Sequence, residues 1–311
     1  MRTTLAFALA VSMTAMGASA FAQDNKTLAA APPAAAAPAP AAQPAPAAAK
    51  CENPNALGVA RVVQIDTTGA PGFGFEHFKA YDFLRDKEVV LTFDDGPWPG
   101  NTERVLKALA DQCTKAMFFT IGKHASWHPE ILKKVAAAGH TIGSHTWSHK
   151  DLTPMTFEEG KAEIEKGIAA LSISLGNKPV DAFFRFPALR HPPELVKYLG
   201  TRNIGIFSTD FDSFDFKMRR PEQVVKSVMA KLEKHGKGII LMHDFQHATS
   251  EAVPEILAQL KAGGYKVVQV VGKSKIEPEK EYLDAVAKEI GGGLEDARPM
   301  SSVIKDITVG N

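Results

Sequence analysis

The chain has 311 residues, 45% of them apolar, enough to bury one sizeable core. Its 36 basic and 35 acidic side chains leave a formal charge of +1. That balance provides no broad positive field, which argues against nucleic-acid or anionic-membrane partners.

Residues 1–22 carry the marks of an export signal: a Met1-Arg2 start, an apolar run from Leu5 to Met16, and small-residue sites ending at Ala20 and Ala22. The run falls short of the ~20 apolar residues a spanning helix needs. A cleaved signal is therefore expected over an uncleaved anchor, with a periplasmic or secreted product and no stable membrane insertion afterwards. Residues 23–50 read as an Ala/Pro-rich linker in which Pro32, Pro33, Pro38, Pro40, Pro44 and Pro46 interrupt any helix. Cys51 and Cys113 are the only cysteines. Export permits a disulfide, but the sequence does not decide between a bridge and a small buried apolar role for Cys113. Residues 51–86, with the turn-forming run Gly69-Ala70-Pro71-Gly72-Phe73-Gly74-Phe75, are expected to pack on the main domain as an arm.

Between residues 87 and 272, seven apolar runs alternate with helical patterns: Val89 to Phe93, Ala116 to Ile121, Thr141 to Gly143, Ala182 to Phe186, Gly205 to Ser208, Gly238 to Met242 and Lys266 to Val271. Continuous apolar runs joined by amphipathic helices predict a parallel sheet covered on both faces or closed into a barrel with one unit missing. The helices have start signals. Asn101 is expected to cap one, Pro129 to open the next, Thr156 and Glu159 to form a capping box, Pro221 to open another and Ser250 to cap the last. Residues 273–311 read as a polar, partly mobile tail with one helix from Pro278 to Ile290.

Five stretches at the ends of these runs carry the chemistry: Thr92-Phe93-Asp94-Asp95-Gly96-Pro97, Ser144-His145-Thr146-Trp147-Ser148-His149, Arg185-Phe186-Pro187, Asp212-Ser213-Phe214-Asp215-Phe216 and Leu241-Met242-His243. Each follows a strand and precedes a helix, the carboxyl-end position where active sites of α/β barrels collect. The spacing of His145 and His149 predicts one face of a helical turn, so that both can share a metal with Asp95 and leave a position open for water. Gly96-Pro97 lets the chain turn so that Asp94 and Asp95 enter one cavity, one acid binding the metal and the other taking a proton from water. His243 is placed to act as an acid toward a leaving group, and Arg185 to hold Asp94 ionised. Asp212 and Asp215 remain open, since either can pair with a histidine or cap a loop. His124, His128, His140, His191, His235 and His247 have no partner at metal spacing and are read as structural or surface residues.

Together these residues resemble the polysaccharide deacetylase family, the NodB-homology or carbohydrate esterase family 4 domain, over about residues 87–272. The resemblance implies a distorted (β/α)7 barrel that removes N-acetyl groups from GlcNAc-containing polymers, peptidoglycan or chitin-like, with a divalent metal, zinc foremost. It implies Asp94 as general base, Asp95, His145 and His149 as metal ligands, His243 as general acid, Arg185 as the orienter of Asp94 and Asp215 as the group that tunes His243. Leu241 would line the pocket for the acetyl methyl. The family usually has Tyr after Pro187 where this chain has Ala188, which keeps the backbone N–H for an oxyanion but loses a ring. It usually ends the fourth motif in Trp, where Phe216 keeps an apolar wall. Two other functions fit the same residues: an O-acetyl esterase acting on a polymer such as xylan, and a polysaccharide-binding pseudoenzyme.

Overall fold

The computed structural model describes residues 51 and 53–295. The expected signal, the Ala/Pro linker and the end of the tail lie outside the described residues. Two strands come first, β1 (Arg61–Ile65) and β2 (Gly72–Phe73). The chain continues through β3 (Glu88–Asp94), α1 (Asn101–Asp111), β4 (Met117–Thr120), α2 (Gly122–Trp127), α3 (Pro129–Ala137), β5 (Thr141–Ser144) and α4 (Phe157–Ser174). It then forms β6 (Val180–Asp181), β7 (Phe183–Phe184), α5 (Pro193–Arg202), β8 (Gly205–Phe207), β9 (Phe211–Asp212) and α6 (Pro221–His235). The last elements are β10 (Gly238–His243), α7 (His247–Ala262), β11 (Lys266–Gly272), β12 (Lys275–Ile276) and α8 (Lys280–Glu295).

All seven expected runs are strands. Parallel ladders join β10, β3, β4, β5, β7 and β8 in that order, and helices cover the outside. The result is a distorted (β/α)7 barrel. The distortion has two sources. β2 extends the β8 edge and β9 the β10 edge, with no ladder between β2 and β9 among the described residues. The seventh strand, β11, pairs with β1 and meets β3 only at Lys266–Glu88 and Val267–Val89. β10 occupies one edge of β3 throughout, so β11 and β4 must share the other, β4 beginning at Thr92. The Gly69–Phe75 run, expected as a turn-rich arm, thus contributes strand β2 to the sheet.

Alternation along each strand sorts the core into two layers. Val89, Leu91 and Phe93 face the helices, whereas Val90 packs inside with Met117, Phe119, Phe183, Phe207 and Ile239. Burying each such side chain contributes about 1.5–3 kcal/mol. The phase of the inner layer also places the reactive groups: Asp94 is in step with Val90, Arg185 with Phe183, and His243 with Ile239. Each inner row therefore ends on a chemically active residue at the same mouth.

Several local signals hold. Thr156 and Glu159 form the capping box of α4, and Gly236 ends α6 in a left-handed conformation with φ 77°. Two do not. Gly100, not Asn101, precedes α1; its N–H is held by Glu103, and the Asn101 amide instead donates to the Phe245 carbonyl at 2.7 Å. α7 begins at His247, so Ser250 lies within its first turn and bonds the His247 carbonyl. The tail helix α8 runs on through Gly291, and its Val286 is buried with Trp147, Ala169 and Ala170. Cys51 and Cys113 are bonded, tying residue 51 to the turn after α1. Among the described residues, no helix is long and apolar enough to cross a membrane.

Candidate active site

The turn after β3 is made by Asp95 itself, whose φ of 74° is a left-handed value that Asp tolerates better than most residues. That turn overrides the up-down alternation of a strand, and both carboxylates enter one cavity. Asp95 Oδ1 lies 3.6 Å from His145 Nε2 and 3.4 Å from His149 Nε2, and Asp94 Oδ2 lies 3.8 Å from His145 Nε2.

The two histidines meet by a different route from the one their spacing predicts. Residues 145–150 are not helical; Thr146 and His149 take φ values of 69° and 57° instead. Side chains anchor this loop: the Thr146 hydroxyl accepts from the His149 N–H, and the Glu163 carboxylate accepts from the Ser148 N–H and hydroxyl. An intrastrand pattern cannot show such a loop, because its shape is set by Glu163 on α4.

Donor atoms of Asp95, His145 and His149 all fall within 4.8 Å of one another. Among the described residues Asp95 Oδ1 is buried without a hydrogen-bond partner, an expensive state for a carboxylate oxygen unless a cation meets it. His145 Nδ1 donates to the Arg185 carbonyl at 2.7 Å, which directs the lone pair on Nε2 into the cluster. Burial, reinforced by neighbouring positive charge, holds the His145 pKa well below its usual value and keeps the ring neutral. Two imidazole nitrogens and one carboxylate oxygen with an open side fit a divalent metal of the catalytic kind.

Asp94 sits deeper. Arg185, fully buried, donates to Asp94 Oδ1 at 2.6 Å and to the Thr92 hydroxyl at 2.8 Å, and its other nitrogens reach the Phe207 and Ser208 carbonyls. Its guanidinium stacks on Phe119, 4.2 Å from the ring centre. Burial pushes the Asp94 pKa up to about 6, against the pull of the Arg185 and His243 charges. On the neighbouring strand β10, His243 Nδ1 pairs with Asp215 Oδ1 at 2.6 Å. Asp215 is buried and also accepts from the His243 N–H and the Thr249 hydroxyl. Burial disfavours charge on His243, but the bond and charge of Asp215, with Asp95 and Asp94 behind it, raise its pKa to about 10. Asp215 is thus the partner of the histidine, while Asp212 caps its loop by accepting from the Phe214 N–H.

The remaining expected residues line the rim. Leu241 is buried on β10 and Phe216 is half exposed, edge-on to His243 with centroids 5.5 Å apart. Pro187 is buried, and Ala188 is exposed at φ 51°; the turn's own bonds start from Leu189 and Arg190, leaving the Ala188 N–H outside them. Sequence reasoning assigned no role at the site to three neighbours. Asp244 is buried and accepts from the Gly96 N–H and the Thr102 hydroxyl, bracing the Asp95 turn, with burial raising its pKa to about 7. His124 bonds the Asp95 carbonyl through Nδ1, and Trp127 stands beside it. Both lie on α2, a helix too short for its periodicity to register; Asp244 stood directly after His243 and had that signal.

Residues 83–204 match the family model described as polysaccharide deacetylase. The chain is 32% identical over 203 residues to a peptidoglycan-N-acetylglucosamine deacetylase of Listeria monocytogenes, covering 64% of this chain and 42% of that protein. It thus spans about two fifths of that relative's length. It is 30% identical over 159 residues to a chitooligosaccharide deacetylase of Rhizobium leguminosarum bv. trifolii, covering 51% of this chain and 72% of that protein. Among solved structures it resembles a peptidoglycan deacetylase of Bdellovibrio bacteriovorus, with a TM-score of 0.64 and 35% identity over 74% of this chain and 63% of that one. With its barrel and the cluster at its mouth, the chain belongs to the polysaccharide deacetylase family.

Proposed function

We propose that the protein is an exported, metal-dependent hydrolase that removes N-acetyl groups from GlcNAc-containing polysaccharide, with zinc as its metal. One observation carries the reading: two separately wired proton-transfer pairs, Asp94 with Arg185 and His243 with Asp215, flank the same three metal-ligand candidates. A module that only binds sugar has no use for a base and an acid together. The names of the relatives, which act on peptidoglycan and chitooligosaccharide, support the substrate class.

Asp95, His145 and His149 would hold the metal. A divalent ion there supplies Lewis acidity toward a carbonyl and lowers the pKa of water. Asp94, kept ionised by Arg185, takes the proton of the attacking water. The Ala188 N–H is the candidate donor to the oxyanion that forms. His243, oriented and kept protonated by Asp215, gives its Nε2 proton to the departing amine, so that acetate and a free amino sugar leave. Leu241 and Phe216 form the apolar wall near the acetyl methyl.

Acetate release from chitooligosaccharide, peptidoglycan and acetylated xylan, each with and without a chelator, tests this directly. Chelator-sensitive release from either GlcNAc polymer is expected. Release from xylan alone would make the protein an O-acetyl esterase, and binding without release from any of the three would make it a pseudoenzyme.

A further inference from the structure

Asp95 and His149 form one wall of a cavity of about 300 Å3 whose other walls belong to α2 and to Phe245. Whatever sits there adjoins the reaction centre, and the space suits one sugar ring, not a polymer. Its most exposed element is Trp127, with 58% of its surface accessible. The centre of that ring lies 5.2 Å from that of His124, and Trp98 packs edge-on against His124, also at 5.2 Å. His124 is in turn bonded to the Asp95 carbonyl, so the aromatic wall is keyed to the candidate metal ligand. A flat, amphipathic ring fixed in this way is the surface on which the C–H face of a pyranose stacks.

Lys123 lines the same cavity. Half-buried Lys161, Lys166 and Lys237 pair with Glu279, Glu289 and Asp82, and half-buried Lys115 and Lys231 donate to the Ala138 and Asp212 carbonyls. Among the described residues Lys123 has no carboxylate partner, and its ammonium stands over the face of Trp147 at 5.8 Å. A neutral chitin-type chain gives this cation nothing to pair with. A carboxylate does.

We propose that this cavity is a subsite for the sugar unit next to the one being deacetylated, with Trp127 as its stacking floor and Lys123 as the counter-charge for a carboxylate on that unit. This rests on the hydrolase reading above and narrows it to cell-wall glycan over chitin. The carboxylate has two sources in such glycan, the lactyl ether of a muramic-type sugar and the peptide attached to it.

Binding measured by calorimetry in an Asp94→Asn background separates the subsite from turnover. The probes are a neutral chitin pentamer, glycan strands stripped of peptide, and strands that keep it. The Asp94→Asn protein should bind both carboxylate-bearing glycans more tightly than the pentamer. Adding Lys123→Met should cut that preference about fivefold, and Lys123→Arg should restore most of it. Trp127→Ala should weaken all three about tenfold, with Trp127→Tyr in between. Loss confined to peptide-bearing strands identifies the peptide as the source; loss on stripped strands identifies the lactyl group. Equal effects of Lys123→Met on charged and neutral glycans, or no effect of Trp127→Ala, overturn the subsite even if acetate is released. If the native chain releases no acetate while this pattern persists, the hydrolase reading falls and the subsite stands.

Discussion

Asp94 and His243 are register partners on the neighbouring parallel strands β3 and β10. One ladder therefore sets the distance between the proposed base and the proposed acid. The two carry opposite accessories: Asp94 is neutralised from behind by Arg185, and His243 is charged from behind by Asp215.

That arrangement predicts strong non-additivity. Asp94→Asn and His243→Gln should each lower kcat about 10^2–10^4-fold, while the double variant should cost little more than the worse single one. Steady-state acetate release checks this, and simple multiplication of the two losses would argue against a shared reaction centre.

Replacing Arg185 should cost stability as well as rate. Arg185→Leu leaves Asp94 buried without its partner and strands the Phe207 and Ser208 carbonyls, a loss of about 3–5 kcal/mol. Urea unfolding should show that loss, and the Arg185→Leu, Asp94→Asn double variant should recover part of it.

The pH–rate profile should be bell-shaped. Asp94 must be ionised, and burial has raised its pKa to about 6; His243 must be protonated, and Asp215 has raised its pKa to about 10. A bound cation acts on both groups downward, so the acid limb should lie at or below about 6 and the alkaline limb at or below about 10. In Asp215→Asn the alkaline limb should move to lower pH, because the groups that raise the His243 pKa lose their largest member.

Metal binding should be visible without turnover. Zinc added at about 100 times its Kd should stabilise the native chain by about 2.7 kcal/mol in thermal unfolding. His149→Ala, which removes the most exposed of the three candidate ligands, should abolish most of that shift. A full shift in the variant would remove His149 from the ligand set.

Stability in acid should report on His140. This residue is buried and accepts the Ala116 N–H through Nδ1, which requires a neutral ring, and burial lowers its pKa to about 3. The unfolded chain takes up this proton near pH 6.5 and the folded one does not, so the contribution is present above about pH 6.5 and lost as pH falls toward 3. Asp94 and Asp244, with raised values, act in the opposite direction in native and variant alike. Going from pH 7.5 to pH 5, His140→Gln should therefore gain about 2 kcal/mol relative to the native chain. A constant difference across that range would place the titration elsewhere.

The barrel was legible because its strands are continuous apolar runs ending in chemical residues, and buried parallel strands need that composition on both faces. The active residues were legible for the same reason: they interrupt those runs at the carboxyl end. The route by which His145 and His149 meet was not, since their loop is shaped by Glu163 on α4 and not by a local helical turn. The residues by themselves left Asp215 and Asp212 open, and the family resemblance pointed to Asp215; the physical reason is that β10 carries the His243 ring and N–H onto Asp215.

Composition and strand periodicity, which act between near neighbours in the chain, thus decided the architecture and nominated the reactive side chains. Which carboxylate serves which histidine, how β11 shares an edge with β4, and where Lys123 and Trp127 stand were decided by contacts between distant segments. Those contacts depend on how separate elements pack, and no pattern within a single element encodes them.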